Sequence, residues 1–252
     1  MKIVSFNLRR DFEHDGDNRF NKRTDIIKSV IEKNHPDVIG FQEVLPEALA
    51  WLKSSLSGYT VVGTGRDDDL GDEATAVAFD TDKYDLIQMD TFWLSPTPEK
   101  PGSRYEGQSD CPRTCTMVLL KDVSTKAVFR VYNTHLDHIG SEARLHGAKQ
   151  IAARIPEEKL FNGVPLVVMG DFNAFPQDPE VRFFSEKAGL TDFTESIGGT
   201  FHDFGELSTP EKIDYIFASK EWTLKAAGLW DEKVNGRFIS DHFPVFVEMY
   251  NK

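Results

Sequence analysis

The chain opens on alternation. In "KIVSFNL" (residues 2–8), Val4, Phe6 and Leu8 fall on one face and Ile3, Ser5 and Asn7 on the other, which predicts a β-strand. The period then changes. Phe20, Ile27, Val30 and Ile31 recur at helical spacing and predict a helix over residues 19–33, ended by Pro36. "HPDVIGFQE" reads as a short buried strand, and Leu45, Leu49, Leu52 and Leu56 mark a second helix stopped by Gly58. The middle of the chain is strand-rich, in "YTVVG", "TAVAF", "TFWLS", "CTMVLL" and "AVFRVYNTHL", with turn residues between the runs. A third helix is predicted over 142–155, with Ala148, Ile151, Ala152 and Ile155 inward. "VPLVVMG", "EKIDYIFAS" and "FPVFVEM" are further strands, and "DPEVRFFSEKAG" a short helix. Runs of strands with inserted helices predict an α/β fold of two packed sheets covered by helices. No repeat, low-complexity tract or Ser/Gly linker divides the 252 residues, so a single domain over 1–252 is expected.

Composition adds limits. The formal net charge of −12 repels polyanions over most of the surface, which disfavours nucleic-acid binding driven by counterion release. It leaves phosphate chemistry open, because a divalent cation inverts the sign locally. No apolar stretch has the length to cross a bilayer. "MKIVSFNLRR" carries no long apolar run and no small-residue cleavage site, so a cytoplasmic location is the expectation. Cys111 and Cys115 read as reduced thiols, since a metal site needs more ligands of that type nearby.

The candidate chemistry lies where apolar runs end. "VPLVVMGDFN" (164–173) runs straight from a core strand into Asp171 and Asn173. The same happens at Asn7 in "VSFNL", Glu43 in "IGFQEV" and His135 in "VYNTHLDH". Asp214 in "KIDYIF" and Asp241 with His242 in "FISDHFPV" repeat it. Strand ends are where sheets present functional groups to a crevice. A buried ionised carboxylate must be paired, neutralised or bound to metal, and too few basic residues lie close in sequence to pair them all. Glu43 and Asp241, with Asn7 as a neutral oxygen ligand, suit a hard cation such as Mg²⁺ or Mn²⁺. His135 and His242 titrate near neutrality and can move a proton or support negative charge. Each segment has a plainer reading: "GDFN" as a turn, His135 as a core histidine, "IDY" as cross-strand packing. Their joint occurrence favours metal-assisted hydrolysis.

"SFNLR", "GFQEV", "YNTHLDH", "GDFN", "KIDYIF" and "SDHFPV" together resemble the endonuclease/exonuclease/phosphatase (DNase I-like) superfamily, in one order from residue 5 to residue 245. The resemblance implies a four-layer α/β sandwich of two mostly antiparallel sheets flanked by helices. It also implies Glu43 as principal metal ligand, helped by Asn7 and Asp241. Asp171 would orient or deprotonate the attacking water, and Asn173 would hold that water or a phosphate oxygen. His242, supported by Asp214, would stabilise charge on phosphorus, while His135 would contact phosphate or protonate the leaving group.

"DGDNRFNKR", "GTGRDDD", "TFWLSPTPEKPGS" and "NTHLDHIGSEAR" are similar to a bacterial branch of that superfamily. The chain departs from it at Asp69, where a glycine is usual, and at Cys115, where a tryptophan is usual; Glu73 is a candidate for its acidic position. Arg66 and Arg113, in loops bordering strands, are candidate phosphate clamps, with surface salt bridges as the equal alternative. Trp93 is a candidate floor for a substrate pocket, with a core or rim aromatic the favoured reading, and His138 and Arg144 are candidates for its border. "EKIDYIF" lacks the tryptophan–cysteine–aspartate–arginine run of inositol-polyphosphate 5-phosphatases, and His135 stands where abasic-site endonucleases carry tyrosine. The expected activity is Mg²⁺-dependent hydrolysis of a phosphodiester or phosphomonoester in a small or medium molecule, such as a metabolite or lipid headgroup, with the diester favoured. The alternatives are a DNA or RNA nuclease, which needs a local basic surface, and a non-catalytic binding module.

Overall fold

The computed structural model describes residues 1–157 and 160–251. Its strands are β1 (Lys2–Asn7), β2 (Val38–Gln42), β3 (Tyr59–Val62), β4 (Val77–Asp80), β5 (Tyr84–Trp93) and β6 (Thr114–Asp122). Then follow β7 (Val128–His135), β8 (Leu166–Asp171), β9 (Thr191–Asp192), β10 (Asp214–Ala218), β11 (Trp222–Leu229) and β12 (Val245–Asn251). The α-helices are α1 (Phe20–Asn34), α2 (Pro46–Ser55), α3 (Ser141–Glu157) and α4 (Pro179–Glu186). Two six-stranded sheets result, ordered β11-β12-β1-β2-β4-β3 and β5-β6-β7-β8-β10-β9.

Both sheets follow one plan. The central pair, β1–β2 in one and β7–β8 in the other, is parallel, and every other ladder is antiparallel. Each parallel pair needs a crossover, supplied by α1 and by α3. Three apolar layers hold the sandwich together. Phe6, Ile27, Ile39 and Leu52 pack the first sheet under α1 and α2. Ile3, Val131, Met169, Ile216 and Val247 fill the space between the sheets. Ile151, Val168, Phe184 and Phe217 pack the second sheet under α3 and α4. The outcome is the four-layer α/β sandwich, and the alternation in β1 is the reason: Val4 and Phe6 meet helices while Ile3 faces the other sheet.

That register positions the polar strand ends. Residues at steps of two from an inter-sheet apolar residue face the inter-sheet layer, so Ile3 carries Asn7 inward and Val131 carries His135 inward. By the same parity Met169 leads to Asp171 and Ile216 to Asp214. Parallel pairing brings the carboxyl ends of β7 and β8 together, with His135 opposite Asp171. Antiparallel β10 begins where β8 ends, with Asp214 opposite Asp171. The sheets approach so closely there that a Cβ on Gly40 would come within 2.5 Å of Met169 Cε and 2.6 Å of Asn133 Oδ1.

Two expectations differ from the structure. The strand read at "TFWLS" is the last part of β5, which begins at Tyr84; its polar "DLIQMD" stretch hides the pattern. The edge strand β11 had no prediction, because half-exposed "WTLKAAGL" carries weak alternation. No helix among the described residues is long and apolar enough to cross a membrane.

Candidate active site

A cleft of about 550 Å³ opens at the polar end of the inter-sheet layer. Glu43, His135, Asp171, Asn173, Asp241 and His242 line it, with Arg66, Arg113 and His138 farther along. Asn7 and Asp214 are buried beneath this wall and reach it through neighbours. Trp93 is buried away from the cleft and donates its indole N–H to the Arg66 carbonyl, so it backs a loop and does not floor the pocket. Arg144 is turned aside by an ion pair with Glu180 and a hydrogen bond to the Asp137 carbonyl.

The local backbone is unusual at two of these positions. Glu43 and Asn173 adopt left-handed φ values of 59° and 47°, a conformation that costs energy outside glycine and clusters at functional sites. Fully buried Arg23, on α1, braces the surrounding loops, donating to the carbonyls of Leu8, Arg9 and Ile239. Thr200 does the same on the other side: its hydroxyl accepts the amides of Ile213 and Asp214, and its carbonyl accepts that of Phe243.

At the centre, Asn7 Nδ2 donates to Glu43 Oε1 at 3.0 Å and to Asp171 Oδ2 at 2.9 Å. Glu43 Oε2 accepts the Arg10 amide at 2.9 Å, and Asp171 Oδ1 the Asn173 amide at 2.9 Å. Burial opposes ionisation of Glu43, yet the Arg10 amide, Asn7 and the nearby cations hold its carboxyl below the usual carboxylate range. Asp171 goes the other way. Burial, then repulsion from Asp214, raises it to about 7 despite His242 and its own hydrogen bonds. Asp241, 3.5 Å from Arg9 Nη1, is also raised, by burial first and Glu43 second, with His242 opposing.

The two histidines are in opposite states. His242 Nδ1 lies 2.9 Å from Asp214 Oδ2, and its Nε2 lies 3.8 Å from Asp171 Oδ2. Burial disfavours its charge, but Asp214, Asp241 and Asp171 outweigh that and raise it to about 10, so it is imidazolium at neutral pH. His135 Nε2 lies 3.5 Å from Asp171 Oδ2, yet burial and then the Arg113 and Arg66 charges push His135 well below its ordinary value. It is therefore neutral. Asp171, Asp214 and His242 bring potential ligand atoms within 4.8 Å of one another. Within that trio His242 and Asp214 form a charge pair, with Asp171 beside it.

The cleft also holds Arg9, Arg10 and Phe12, which the sequence did not single out, and the candidate acid Glu73. Arg10 Nη1 donates to Glu73 Oε1 at 2.7 Å, and Arg66 Nη1 to Glu73 Oε2 at 2.6 Å. Buried Glu73 is raised by desolvation and by Glu43, against Arg66, Arg113 and Arg10. Arg9 and Arg10 both lie over the Phe12 ring, at 4.6 and 4.8 Å to its centroid. Cys111, Phe175, Phe201, Glu211 and Ile213 form the remaining wall.

A two-sheet sandwich with acids, imidazoles and guanidinium groups converging on one cleft is the arrangement of a phosphoester hydrolase. The Endonuclease/Exonuclease/phosphatase family model matches residues 4–242, and the chain belongs to that family. Its structure is similar to that of an endonuclease/exonuclease/phosphatase from Bacteroides vulgatus, with TM-score 0.93 and 30% identity over 100% of this chain and 98% of that one. It is similar also to the mannosyl-6-phosphatase of Bacteroides thetaiotaomicron, with TM-score 0.91 and 31% identity over 99% of both chains. An uncharacterized protein, L388, of Acanthamoeba polyphaga mimivirus is 22% identical over 98% of this chain and 99% of its own.

Proposed function

We propose that this chain is a Mg²⁺-dependent hydrolase of small phosphate esters, with Mn²⁺ as an alternative cation. One observation carries the reading: Asn7 Nδ2 bridges two carboxylates, Glu43 and Asp171, at the floor of an arginine-lined cleft. Giving up the Arg9 amide that its Oδ1 accepts at 2.9 Å, a rotated Asn7 would turn that oxygen toward those same oxygens, an all-oxygen set that suits a hard cation. Glu43 and Asn7, with Asp241 beside them, would hold the ion. When bound, it would supply Lewis-acid polarisation of a phosphate oxygen.

The side chains then divide the reaction. A water oxygen bonds to phosphorus, the bond from phosphorus to the ester oxygen breaks, and the water's proton moves to Asp171. Asp171 suits this because its Oδ1 is fixed by the Asn173 amide and its carboxyl is raised toward neutrality. Asn173 directs its own amide at Asp171 and holds water or a phosphate oxygen through its side chain. His242, kept positive by Asp214, stabilises charge on phosphorus. Neutral His135 contacts phosphate and, with its Nε2 3.5 Å from Asp171, relays the proton that Asp171 has taken from water to the departing alkoxide, which returns Asp171 to its carboxylate. Arg66, Arg113 and His138 meet the substrate's phosphate.

A small substrate fits a 550 Å³ cleft, and the mannosyl-6-phosphatase at 31% identity supports a sugar phosphate. The net charge of −12 still weighs against a nuclease. The test is Mg²⁺-dependent hydrolysis by wild type and Asp171→Asn of an aryl phosphodiester, the matching monoester and a duplex with an abasic site. Small-ester cleavage that the mutant loses supports the proposal. Cleavage of the duplex alone would make the chain a nuclease.

A further inference from the structure

We infer that the cleft selects a terminal phosphate, the dianion of a monoester, over a diester, and that Arg113 with Arg66 makes the selection. This rests on the hydrolase reading above and narrows its substrate class.

Arg113 is only 5% exposed, yet its Nε and Nη1 have no hydrogen-bond partner among the described residues. Arg66 is equally buried, and its Nε is likewise unpaired. Buried guanidinium N–H groups without acceptors are costly, and an anion resolves that cost. Neither side chain is free to swing out. Glu73 holds Arg66 at 2.6 Å and Asp72 approaches it at 3.2 Å. Arg113 Nη2 meets His138 Nδ1 at 2.7 Å, and Asp137 lies 3.5 Å from its Nε. The opposing acids are already engaged. Glu73 is shared by Arg10 and Arg66, while Asp137 accepts the Ser109 hydroxyl and the amides of Ile139 and Gly140.

Shape points the same way. Arg66 and Arg113 adjoin Glu43, Glu73 and His135 around a recess of about 10 Å³ that opens beside the reaction centre. That volume holds one water-sized group. A phosphoryl oxygen fits it; the carbon substituent of a second ester does not. A monoester brings three non-bridging oxygens and a charge of roughly −1.5 to −2 at neutral pH. A diester brings two oxygens and a single charge, and leaves these donors unused.

The experiment uses Mg²⁺-loaded wild type, Arg113→Met and Arg113→Lys, with an aryl phosphate and its methyl diester as matched substrates. Binding of inorganic phosphate is measured by calorimetry on the same preparations. Arg113→Met is expected to lose about a hundredfold in kcat/KM on the monoester and a much smaller factor on the diester, with phosphate binding weakened to a degree similar to the monoester loss. Arg113→Lys, which keeps the charge without the fork, is expected to fall between, and it decides the matter if the methionine variant does not fold. Equal losses on both esters with phosphate binding intact would overturn the inference. If wild type cleaves neither ester, the hydrolase reading fails instead. Phosphate binding then decides the pocket alone: lost in Arg113→Met it upholds the anion site, retained it removes it.

Discussion

The two ends of the inter-sheet layer are built from the same strands and behave oppositely. At one end Ile3, Val38, Phe129, Val167 and Ala218 pack as hydrocarbon. Two to four residues along, the inward positions become Ser5, Gln42, Asn133 and Thr116; β1, β7 and β8 finish at Asn7, His135 and Asp171, and β10 starts at Asp214. The polar middle is tied across the sheets, with Gln42 donating to Asn133 Oδ1 at 2.7 Å and Asn133 donating to the carbonyls of Phe41 and Ala76. The apolar end stabilises the fold. The polar end holds buried like charges that nothing about folding calls for, which is the mark of a site maintained for its chemistry.

Substitutions at the two ends should therefore separate activity from stability. The largest effect is expected for Asp171→Asn, a loss of about a thousandfold or more in hydrolysis. Its stability should move in the other direction. Asp171 is raised to about 7, so its stabilising contribution is present below its ordinary value near 3.8 and is lost as pH rises through 7. In metal-free protein at pH 8, thermal melts should find Asp171→Asn at least as stable as wild type. Asp214→Asn should cost about a hundredfold in hydrolysis. His242 is raised to about 10, so the pair stabilises the fold below pH 6.5 and that stability is lost as pH rises through 10. NMR titration of the His242 ring should show that value fall in the mutant; an unchanged titration would remove Asp214 as its cause.

At the apolar end, Ile216→Ala should lower unfolding free energy by about 2–5 kcal/mol in denaturant melts, with turnover per folded molecule retained. The smallest effect is expected between the ends. Gly40→Ala forces a methyl against Met169 and Asn133 and should cost about 1–3 kcal/mol, with some loss of activity as the sheets part. Activity falling in step with stability at Ile216 would erase the distinction between the two ends.

Most of the polar end was legible in sequence because a carboxylate at the end of an apolar run has no ordinary reason to be there. The arginine-rich side was less so. Arg9 and Arg10 in "NLRR" carry no pattern of their own, and although Glu73 matched an acidic position by resemblance, only folding places it between two guanidinium groups. Trp93 follows the plainer of its two readings: it is a buried aromatic whose N–H satisfies a backbone carbonyl, not a ligand platform. The edge strand β11 escaped notice because an edge buries one face at most, leaving little apolar pattern to read.

On the proposed reading, the polar end works by gathering oxygen ligands around a cation, with Glu43 foremost. The most direct measurement is the hydrolysis rate of a small aryl phosphate against Mg²⁺ concentration, for wild type and Glu43→Gln. The account predicts no turnover in chelator, saturable activation of wild type by Mg²⁺, and a Glu43→Gln curve shifted to much higher concentration with a lower plateau. Full turnover in chelator, or identical Mg²⁺ curves for the two proteins, would contradict it.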